Sequence, residues 1–299
     1  MSKLSMKSFV QFLRESLNES GNAVKSNPIP AFITPLVYKE IEEKVKKFDS
    51  KIEMAPLGSL GKKTDDMFNG DIDIAINIPK REDLVEVLKK IFPDYEMNPR
   101  TTEEIASISY PYNIDGHKGD AQVDFMITDN MKWAKWRYDS PDFRKGESKY
   151  KAQAKDWLIR CIVSAIPMED AETTYFDDGT IKTKWKYTFN FKGVIKQLLD
   201  YCGKSGKPVK TPLRPKEFQE MVYNDPDDVM KFMFGDKVVP EDFKSVESIW
   251  KALHSDKWNW GKEALEQAEK SFYEDYIYGH KGRGIELDPK DFPCTEYKP

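Results

Sequence analysis

Two aspartates separated by a single residue, Asp71 and Asp73, stand in the segment DIDIAINI of residues 71–78. Side chains of a β-strand alternate between its two faces, so both carboxylates are expected on one face, about 6–7 Å apart at the backbone. Charged groups are costly to bury alone, so solvent, a basic partner or a cation must balance them. Carboxylates at this spacing can converge on Mg²⁺, which prefers carboxylate, water and phosphate oxygens as ligands.

A third carboxylate follows the same logic in the segment QVDFM. Val123 and Phe125 take the apolar face of a second strand, which leaves Asp124 on the other face. Three carboxylates on one open surface would repel each other strongly without a cation. Two divalent ions that bridge a triphosphate would convert this arrangement into a phosphoryl- or nucleotidyl-transfer site.

The loop GSLGKKT, residues 58–64, precedes the first acidic strand. Glycine lets a backbone approach a phosphate closely, and a serine hydroxyl and adjacent N–H groups can bond its oxygens. The lysines of the loop could neutralise triphosphate charge, and its threonine offers another hydroxyl donor. The candidate nucleotide-binding residues of this loop are Gly58, Ser59, Lys62, Lys63 and Thr64.

These motifs together resemble the nucleotidyltransferase superfamily of DNA polymerase beta. The resemblance covers about residues 50–130, and the loop is similar to that of archaeal CCA-adding enzymes, oligoadenylate synthases and cyclic-dinucleotide synthases. It consists of Leu57-Gly58-Ser59, eleven intervening residues, Asp71-Ile72-Asp73-Ile74, and the later Val123-Asp124-Phe125.

The resemblance implies a role for each motif. Asp71 and Asp73 would bind two Mg²⁺ ions, for which Mn²⁺ can substitute. Asp124 would complete the catalytic metal site and help to deprotonate an acceptor hydroxyl, while Gly58 and Ser59 would hold the triphosphate. No position matches the base-reading residues of the family, so base choice stays open.

The surrounding pattern predicts an α+β protein with a nucleotidyltransferase fold, a mixed β-sheet with flanking helices, followed by a mainly helical second domain. Helices are predicted at 34–48, with Thr34 as N-cap and Pro35 in the first turn, and at 81–92. Segments 107–114 and 120–127 predict a hairpin that turns at Asp115-Gly116. We expect an N-terminal helix and loop (1–33), a catalytic domain (34–145) and a C-terminal domain (146–299) with a hairpin near 173–191.

Two lysine-rich segments in the second half each allow two interpretations. Lys151 and Lys155 stand on the polar side of a predicted helix at 147–166, where they could bind a triphosphate or, as we favour, form a solvated face. The segment TIKTKWKYTFNFK interleaves lysines with aromatic residues. It could stack and steer a nucleic-acid strand, or place its aromatic residues in a hairpin core with the lysines outside, which the alternation favours.

The N-terminal segment MKSFVQFLRES, residues 6–16, resembles the capsid-targeting leader of internal proteins in contractile-tailed bacteriophages. Such leaders are cut after a Leu-x-Glu triplet, here Leu13-Arg14-Glu15. The resemblance implies an enzyme that is packaged with viral DNA and injected. The alternative is a plain amphipathic helix that packs on the catalytic domain.

Composition excludes several other classes. The 299 residues carry 47 basic and 51 acidic side chains, a balance that does not indicate a general nucleic-acid binder. Three widely spaced cysteines fit neither a disulfide framework nor a zinc site. No apolar run approaches the roughly 20 residues that a membrane-spanning helix needs. These features predict a cytoplasmic protein with no membrane partner, and they leave the oligomeric state open.

The predicted activity is transfer of a nucleoside monophosphate from a nucleoside triphosphate, ATP being the expected donor, to an acceptor hydroxyl with release of pyrophosphate. An RNA or tRNA 3′ end, a second nucleotide, and a protein or small-molecule hydroxyl all remain as acceptors. One alternative is a phage-packaged or toxin-type protein that modifies a host protein or tRNA. Another is a non-catalytic nucleotide-binding module.

Overall fold

The computed structural model of the chain describes residues 23–78, 80–98, 105–168, 173–202, 207–208, 219–279 and 287–294. The predicted leader at 6–16 lies outside these residues. Contacts divide the chain between Ala152 and Gln153 into two units. The sequence had predicted a domain boundary seven residues earlier, at the Lys145-Gly146 pair.

The first unit is built on a mixed five-stranded sheet in the order β2-β4-β7-β6-β5. Strand β4 runs parallel to β7, whereas the other three pairings are antiparallel. A separate antiparallel pair joins β1 to β3. The strands are β1 (Ile29–Pro30), β2 (Met54–Pro56), β3 (Phe68–Asn69), β4 (Asp71–Ile76), β5 (Met97–Asn98), β6 (Ile105–Ile114) and β7 (His117–Ile127).

Helices α1 (Thr34–Phe48) and α2 (Arg81–Ile91) share a core with the apolar face of this sheet. The isoleucines of β4 are fully buried in that core, as the alternation predicts. Helix α3 (Met131–Tyr138) packs by Ala134 against Ala75 of β4, on the opposite face. Helix α3 therefore covers the polar face of the sheet near the C-terminal end of β4. The acidic residues lie toward the other end of the strand, which begins at Asp71.

The predicted hairpin is confirmed, and its turn has a clear backbone cause. Asp115 and Gly116 both have positive φ, 51° and 80°, as a two-residue type I′ turn requires.

The predicted N-cap of α1 is wrong. Ile33 precedes the helix, and Thr34 is its first residue, with its hydroxyl donating to the Ala31 carbonyl.

The second unit contains an antiparallel sheet in the order β11-β10-β9-β8, with β12 also paired to β10. The strands are β8 (Thr173–Tyr175), β9 (Ile181–Asn190), β10 (Gly193–Cys202), β11 (Lys207–Pro208) and β12 (Gln219–Tyr223). Its helices are α4 (Ala152–Ala165), α5 (Pro226–Phe234), α6 (Val246–Leu253) and α7 (Gly261–Phe272). The second unit also has 3-10 turns at Pro240–Phe243 and Pro289–Asp291 and a π-helical turn at Tyr273–Tyr278, and the first unit has a 3-10 turn at Phe143–Lys145.

This sheet is larger than the single hairpin that the sequence predicted. Strand β10 was not predicted from the sequence. A register shift between Val194 and Ile195 buries both of these residues, so the strand lacks the alternation of apolar and polar side chains that identifies a strand. Helix α4 starts at Ala152 rather than 147, since the Ser148 hydroxyl accepts from the Tyr150 N–H in a turn. Within the described residues, every helix is too short or too polar to cross a bilayer.

Candidate active site

The three predicted carboxylates meet on the polar face of the first sheet. Asp71, Asp73 and Asp124 each present an oxygen within 4.8 Å of the others, and each residue is partly buried. The parallel register of β4 and β7 produces this cluster, because it sets Asp73 directly beside Asp124. The two-residue spacing along β4 then adds Asp71 to the same face.

Burial and like charges shape the electrostatics of Asp73. Desolvation, followed by the neighbouring charges of Asp71 and Asp124, raises the pKa of Asp73 well above its usual value. The positive charge of Lys151 opposes this rise. The cluster therefore favours a proton or a cation over three bare negative charges.

Asp124 is held by a hydrogen-bonded frame that sequence reasoning missed. The Gln122 amide nitrogen donates to both of its carboxylate oxygens, at 3.0 and 3.1 Å. Burial raises the pKa of Asp124, while hydrogen bonds from Ser107 and Gln122 lower it. Both donors are buried, with Gln122 only 2% exposed and Ser107 0%. The alternation of β7 could have revealed Gln122, because it lies two residues before Asp124 on the same face.

A strap formed by residues 23–27 runs over the same polar face and reaches this frame. The Ala23 N–H donates to the Gln122 side-chain carbonyl at 3.1 Å, and the Ala23 carbonyl accepts from Asn98 at 2.6 Å. The Lys25 carbonyl accepts from the Ser109 hydroxyl at 2.6 Å. The strap thus fixes the amide of Gln122 so that its nitrogen faces Asp124.

Gly58 lies against the carboxylate cluster with no room for a side chain. It has a φ of 59°, and a Cβ built on it would lie 2.6 Å from Oδ2 of Asp73. The turn is fastened on the other side, where the Gly58 N–H donates to the Tyr138 carbonyl and the Ser140 N–H donates to the Gly58 carbonyl. Only glycine satisfies both the left-handed backbone and the close approach.

Ser59 belongs to a chain of hydrogen bonds that anchors the loop. Its hydroxyl donates to Asn69 at 2.9 Å, and the Asn69 amide donates to the Thr34 hydroxyl at 3.2 Å. The Ser59 proton is therefore already used within the protein. A bound phosphate would require rotation of that hydroxyl, or donation from the backbone instead.

The basic residues of the loop also have partners within the protein. Lys62 forms an ion pair with Asp139 and donates to the Ser140 carbonyl at 2.6 Å. Lys63 is 7% exposed and donates to the Phe68 carbonyl at 2.6 Å. The Thr64 hydroxyl donates to Asp66 at 2.5 Å. Lys63 and Thr64 thus hold the loop to itself, and Lys62 holds it to residues 139–140, so the three residues shape the turn that carries Gly58.

The two candidate lysines that follow this region in the sequence, Lys151 and Lys155, have different environments. Lys151 lies in the first unit, where its charge acts on Asp73. Lys155 lies in α4 of the second unit and is 2% exposed. The solvated helix face favoured from the sequence is therefore wrong for Lys155, which the fold buries.

The donor set fits a hard divalent cation. Three carboxylate oxygens within 4.8 Å of one another can share an ion, and Mg²⁺ and Mn²⁺ prefer oxygen ligands. The two hydrogen bonds from Gln122 use part of the acceptor capacity of the Asp124 carboxylate and orient it. Its remaining lone pairs are left for an ion. Orienting partners of this kind tune metal affinity as strongly as some ligands do.

Gly58→Ala is expected to disturb the cluster, with Gly61→Ala as its matched control. Both glycines have positive φ, but a Cβ at Gly61 meets nothing within 4 Å. Each variant should lose about 1–2 kcal/mol of folding free energy to backbone strain. Only Gly58→Ala should weaken Mn²⁺ binding, by about 10–100-fold. Calorimetric Mn²⁺ titration of both variants tests this, and equal affinities would contradict the close packing of Gly58 on Asp73.

Asp73→Asn is expected to stabilise the metal-free protein at neutral pH. The raised pKa of Asp73 means that the folded state holds this proton to a higher pH than the unfolded state does. Stability is therefore lost as pH rises from the usual aspartate range through the raised pKa. In EDTA at pH 7.5, the variant should melt about 2–4 °C above wild type, the effect of about 1 kcal/mol. The difference in melting temperature between the variant and wild type should shrink toward pH 4.

Asp120→Asn is the control for this pH dependence. Asp120 lies on the same face of β7 but outside the cluster. Thermal melts from pH 4 to 8 should show no comparable pH-dependent gap for that variant. A wild-type protein that melts above Asp73→Asn throughout this range would be inconsistent with mutual repulsion in the cluster.

No protein-family model matches the chain, and no curated protein is significantly similar to it. Inference about its function therefore depends on the site's own chemistry.

Proposed function

We propose that this protein is a divalent-metal-dependent nucleotidyltransferase. It would transfer a nucleoside monophosphate from a nucleoside triphosphate, ATP being the expected donor, to an acceptor hydroxyl. The acceptor oxygen forms a bond to the α-phosphorus, and the bond between that phosphorus and the oxygen leading to the β-phosphate breaks. Pyrophosphate leaves, and the proton of the hydroxyl is released to a base.

One observation carries the proposal: three carboxylates from two parallel neighbouring strands converge beside a glycine turn. A purely structural role explains this poorly, because mutual repulsion and burial both disfavour the ionised cluster. The sequence resemblance to polymerase beta-like enzymes, which rests on these same residues, favours the same chemistry. Fold-level likeness alone would not identify a reaction.

Each carboxylate has a role that its surroundings suit. Asp71 and Asp73 would hold the metal ions, which when bound lower the pKa of the acceptor hydroxyl and neutralise phosphate charge. Asp124 would complete the site and help to accept the proton of the acceptor. Its orientation by Gln122 and Ser107 keeps its oxygens in place during the reaction. Lys151 adds positive charge next to Asp73, where a polyphosphate would bring negative charge.

The Gly58 turn would bring backbone N–H groups close to the phosphates, which glycine allows. Ser59 could join them by rotating its hydroxyl away from Asn69. Lys62 and Lys63 would act indirectly, by holding the turn through their carbonyl contacts. Much of the rate gain would come from positioning the two substrates in line.

The direct test is incubation of the full chain with each of four labelled nucleoside triphosphates and Mg²⁺. Parallel arms contain cell RNA, total protein, or no added acceptor, and products are separated by size. We expect pyrophosphate release with at least one donor, and its loss in EDTA. Asp73→Asn and Asp124→Asn should each abolish turnover while they preserve the circular dichroism spectrum.

Asp120→Asn again serves as the matched control and should retain wild-type turnover. Turnover by Asp73→Asn at the wild-type rate would refute the assignment. Tight nucleotide binding with no turnover in any arm would instead favour a binding module over an enzyme. The arm that incorporates label identifies the acceptor as RNA, protein or a second nucleotide.

Gln122→Met is expected to lower kcat with little change in the KM for the donor. The substitution approximately keeps side-chain volume but removes the two hydrogen bonds from the Gln122 amide to Asp124, so the Asp124 carboxylate loses orientation rather than charge. A lost hydrogen bond to a charged group is typically about 1.5–3 kcal/mol, which corresponds to a fall in kcat of about 10–100-fold. Steady-state kinetics with saturating Mg²⁺ measures the effect.

Ser107→Ala and the double variant show whether the two donors act together. If both orient Asp124, the double variant should lose less than the sum of the two single losses in free energy. A Gln122→Met enzyme that changes only KM would place Gln122 in substrate binding, contrary to its role here.

A further inference from the structure

The Gln122 amide connects the strap of residues 23–27 to Asp124. Its carbonyl oxygen accepts from the Ala23 N–H at 3.1 Å, and its nitrogen donates to both carboxylate oxygens of Asp124. A backbone N–H can only donate and an ionised carboxylate can only accept, so both contacts select the same orientation of the amide. Turning the amide over would set its nitrogen against the Ala23 N–H and its oxygen against the carboxylate.

Both ends of this amide must be bonded for Gln122 to hold Asp124 firmly. A glutamine side chain has several rotatable bonds, so one contact alone would leave it with much of its rotamer freedom. With both ends bonded and only 2% of the residue exposed, its nitrogen stays on the carboxylate. Loss of the Ala23 contact would free one end of the amide and admit water as a competitor. The strap therefore acts on Asp124 through Gln122.

Further anchors of the strap are hydrogen bonds between its backbone and the same face of the sheet. Val24 is the buried residue of the strap, at 7% exposure, whereas Lys25 and Asn27 are exposed. The anchoring bonds are 2.6–2.7 Å long and join Ala23 to the Asn98 amide, Lys25 to the Ser109 hydroxyl, and Asn27 to the Asp120 carbonyl.

These contacts hold the strap by polar rather than apolar interactions. A hydrogen bond within the protein replaces one to water, so its net contribution is of the same order as the entropy lost when one residue is ordered. Burial of a single valine adds only a modest stabilisation. The strap is therefore expected to detach and reseat while the sheet behind it stays folded.

We propose that the strap is a detachable positioning element that controls the carboxylate site through Gln122. Seated, it holds the amide on Asp124. Detached, it leaves Asp124 without a fixed orientation, whereas Asp71 and Asp73 keep their places on β4. An event that lifts residues 23–27, such as a cut within them, would lower activity while the sheet stays folded. The effect on turnover rests on the proposed function, but the effects on Gln122 and on Mn²⁺ binding can be measured without turnover.

Ala23→Pro tests the proposal, because proline removes the N–H and leaves the carbonyl. In metal-free protein that carries isotope-labelled glutamine, the side-chain NH₂ signal of Gln122 is identified by its absence from Gln122→Met. Exchange of these protons with water should accelerate about 3–10-fold in Ala23→Pro, the effect of one net hydrogen bond. Calorimetric titration should show Mn²⁺ affinity reduced by a similar factor. The kcat should fall with little change in the KM for the donor.

The double variant Ala23→Pro/Gln122→Met separates this coupling from general structural damage. If the strap acts through Gln122, adding Ala23→Pro to Gln122→Met should change Mn²⁺ affinity by less than about twofold. Damage that spreads by any other route would add its full effect in that background.

Two further variants keep the test independent of the proline itself. Ser109→Ala removes an anchor of the strap that does not touch the Gln122 amide, and it should also accelerate exchange of the Gln122 protons. Ala23→Ser is the conservative variant that keeps the N–H. It should restore the exchange rate and the Mn²⁺ affinity to within about twofold of wild type.

Two results would overturn the proposal. The first is an unchanged exchange rate of the Gln122 protons in Ala23→Pro and Ser109→Ala proteins whose folding circular dichroism confirms. The second is a full additional loss of Mn²⁺ affinity from Ala23→Pro in the Gln122→Met background. A protein that responds to Ala23→Pro in exchange and Mn²⁺ binding, yet shows no turnover, would support the strap and refute the transferase. Turnover that is insensitive to Ala23→Pro would do the reverse.

Discussion

Repulsion among three carboxylates is the constraint around which the first unit is organised. Asp71, Asp73 and Asp124 present oxygens within 4.8 Å of one another in a partly buried setting. Separation by strand twist or by rotation into solvent would lower this repulsion. The fold prevents separation because the cluster spans adjacent, parallel strands whose other faces are locked into an isoleucine-rich core. A cation is the simplest compensating partner, and the free energy of its binding would then stabilise the fold.

The surroundings of the cluster are as specific as the cluster itself. Gly58 closes one side with a backbone that no larger residue could adopt without displacing Asp73. The Gln122 amide orients Asp124 on the other side and is itself held by the strap at Ala23. A solvated acidic surface would not need such a frame. A site whose reaction depends on fixed charges would need it. It also links the strap of residues 23–27 to the carboxylate cluster.

The sequence alone determined the in-and-out pattern of the acidic strands β4 and β7. Alternation is a local property, so Asp71, Asp73 and Asp124 could be assigned to polar faces, and the Asp115-Gly116 turn could be placed. Tertiary structure decided which strands are neighbours, and hence that Asp73 meets Asp124. It also decided the partners of the long, flexible side chains, which is why Lys62 and Lys63 brace a turn and Lys155 is buried. The β10 bulge and the fixing of the Gln122 amide by the strap at Ala23 depend on contacts between distant segments, which no local pattern encodes.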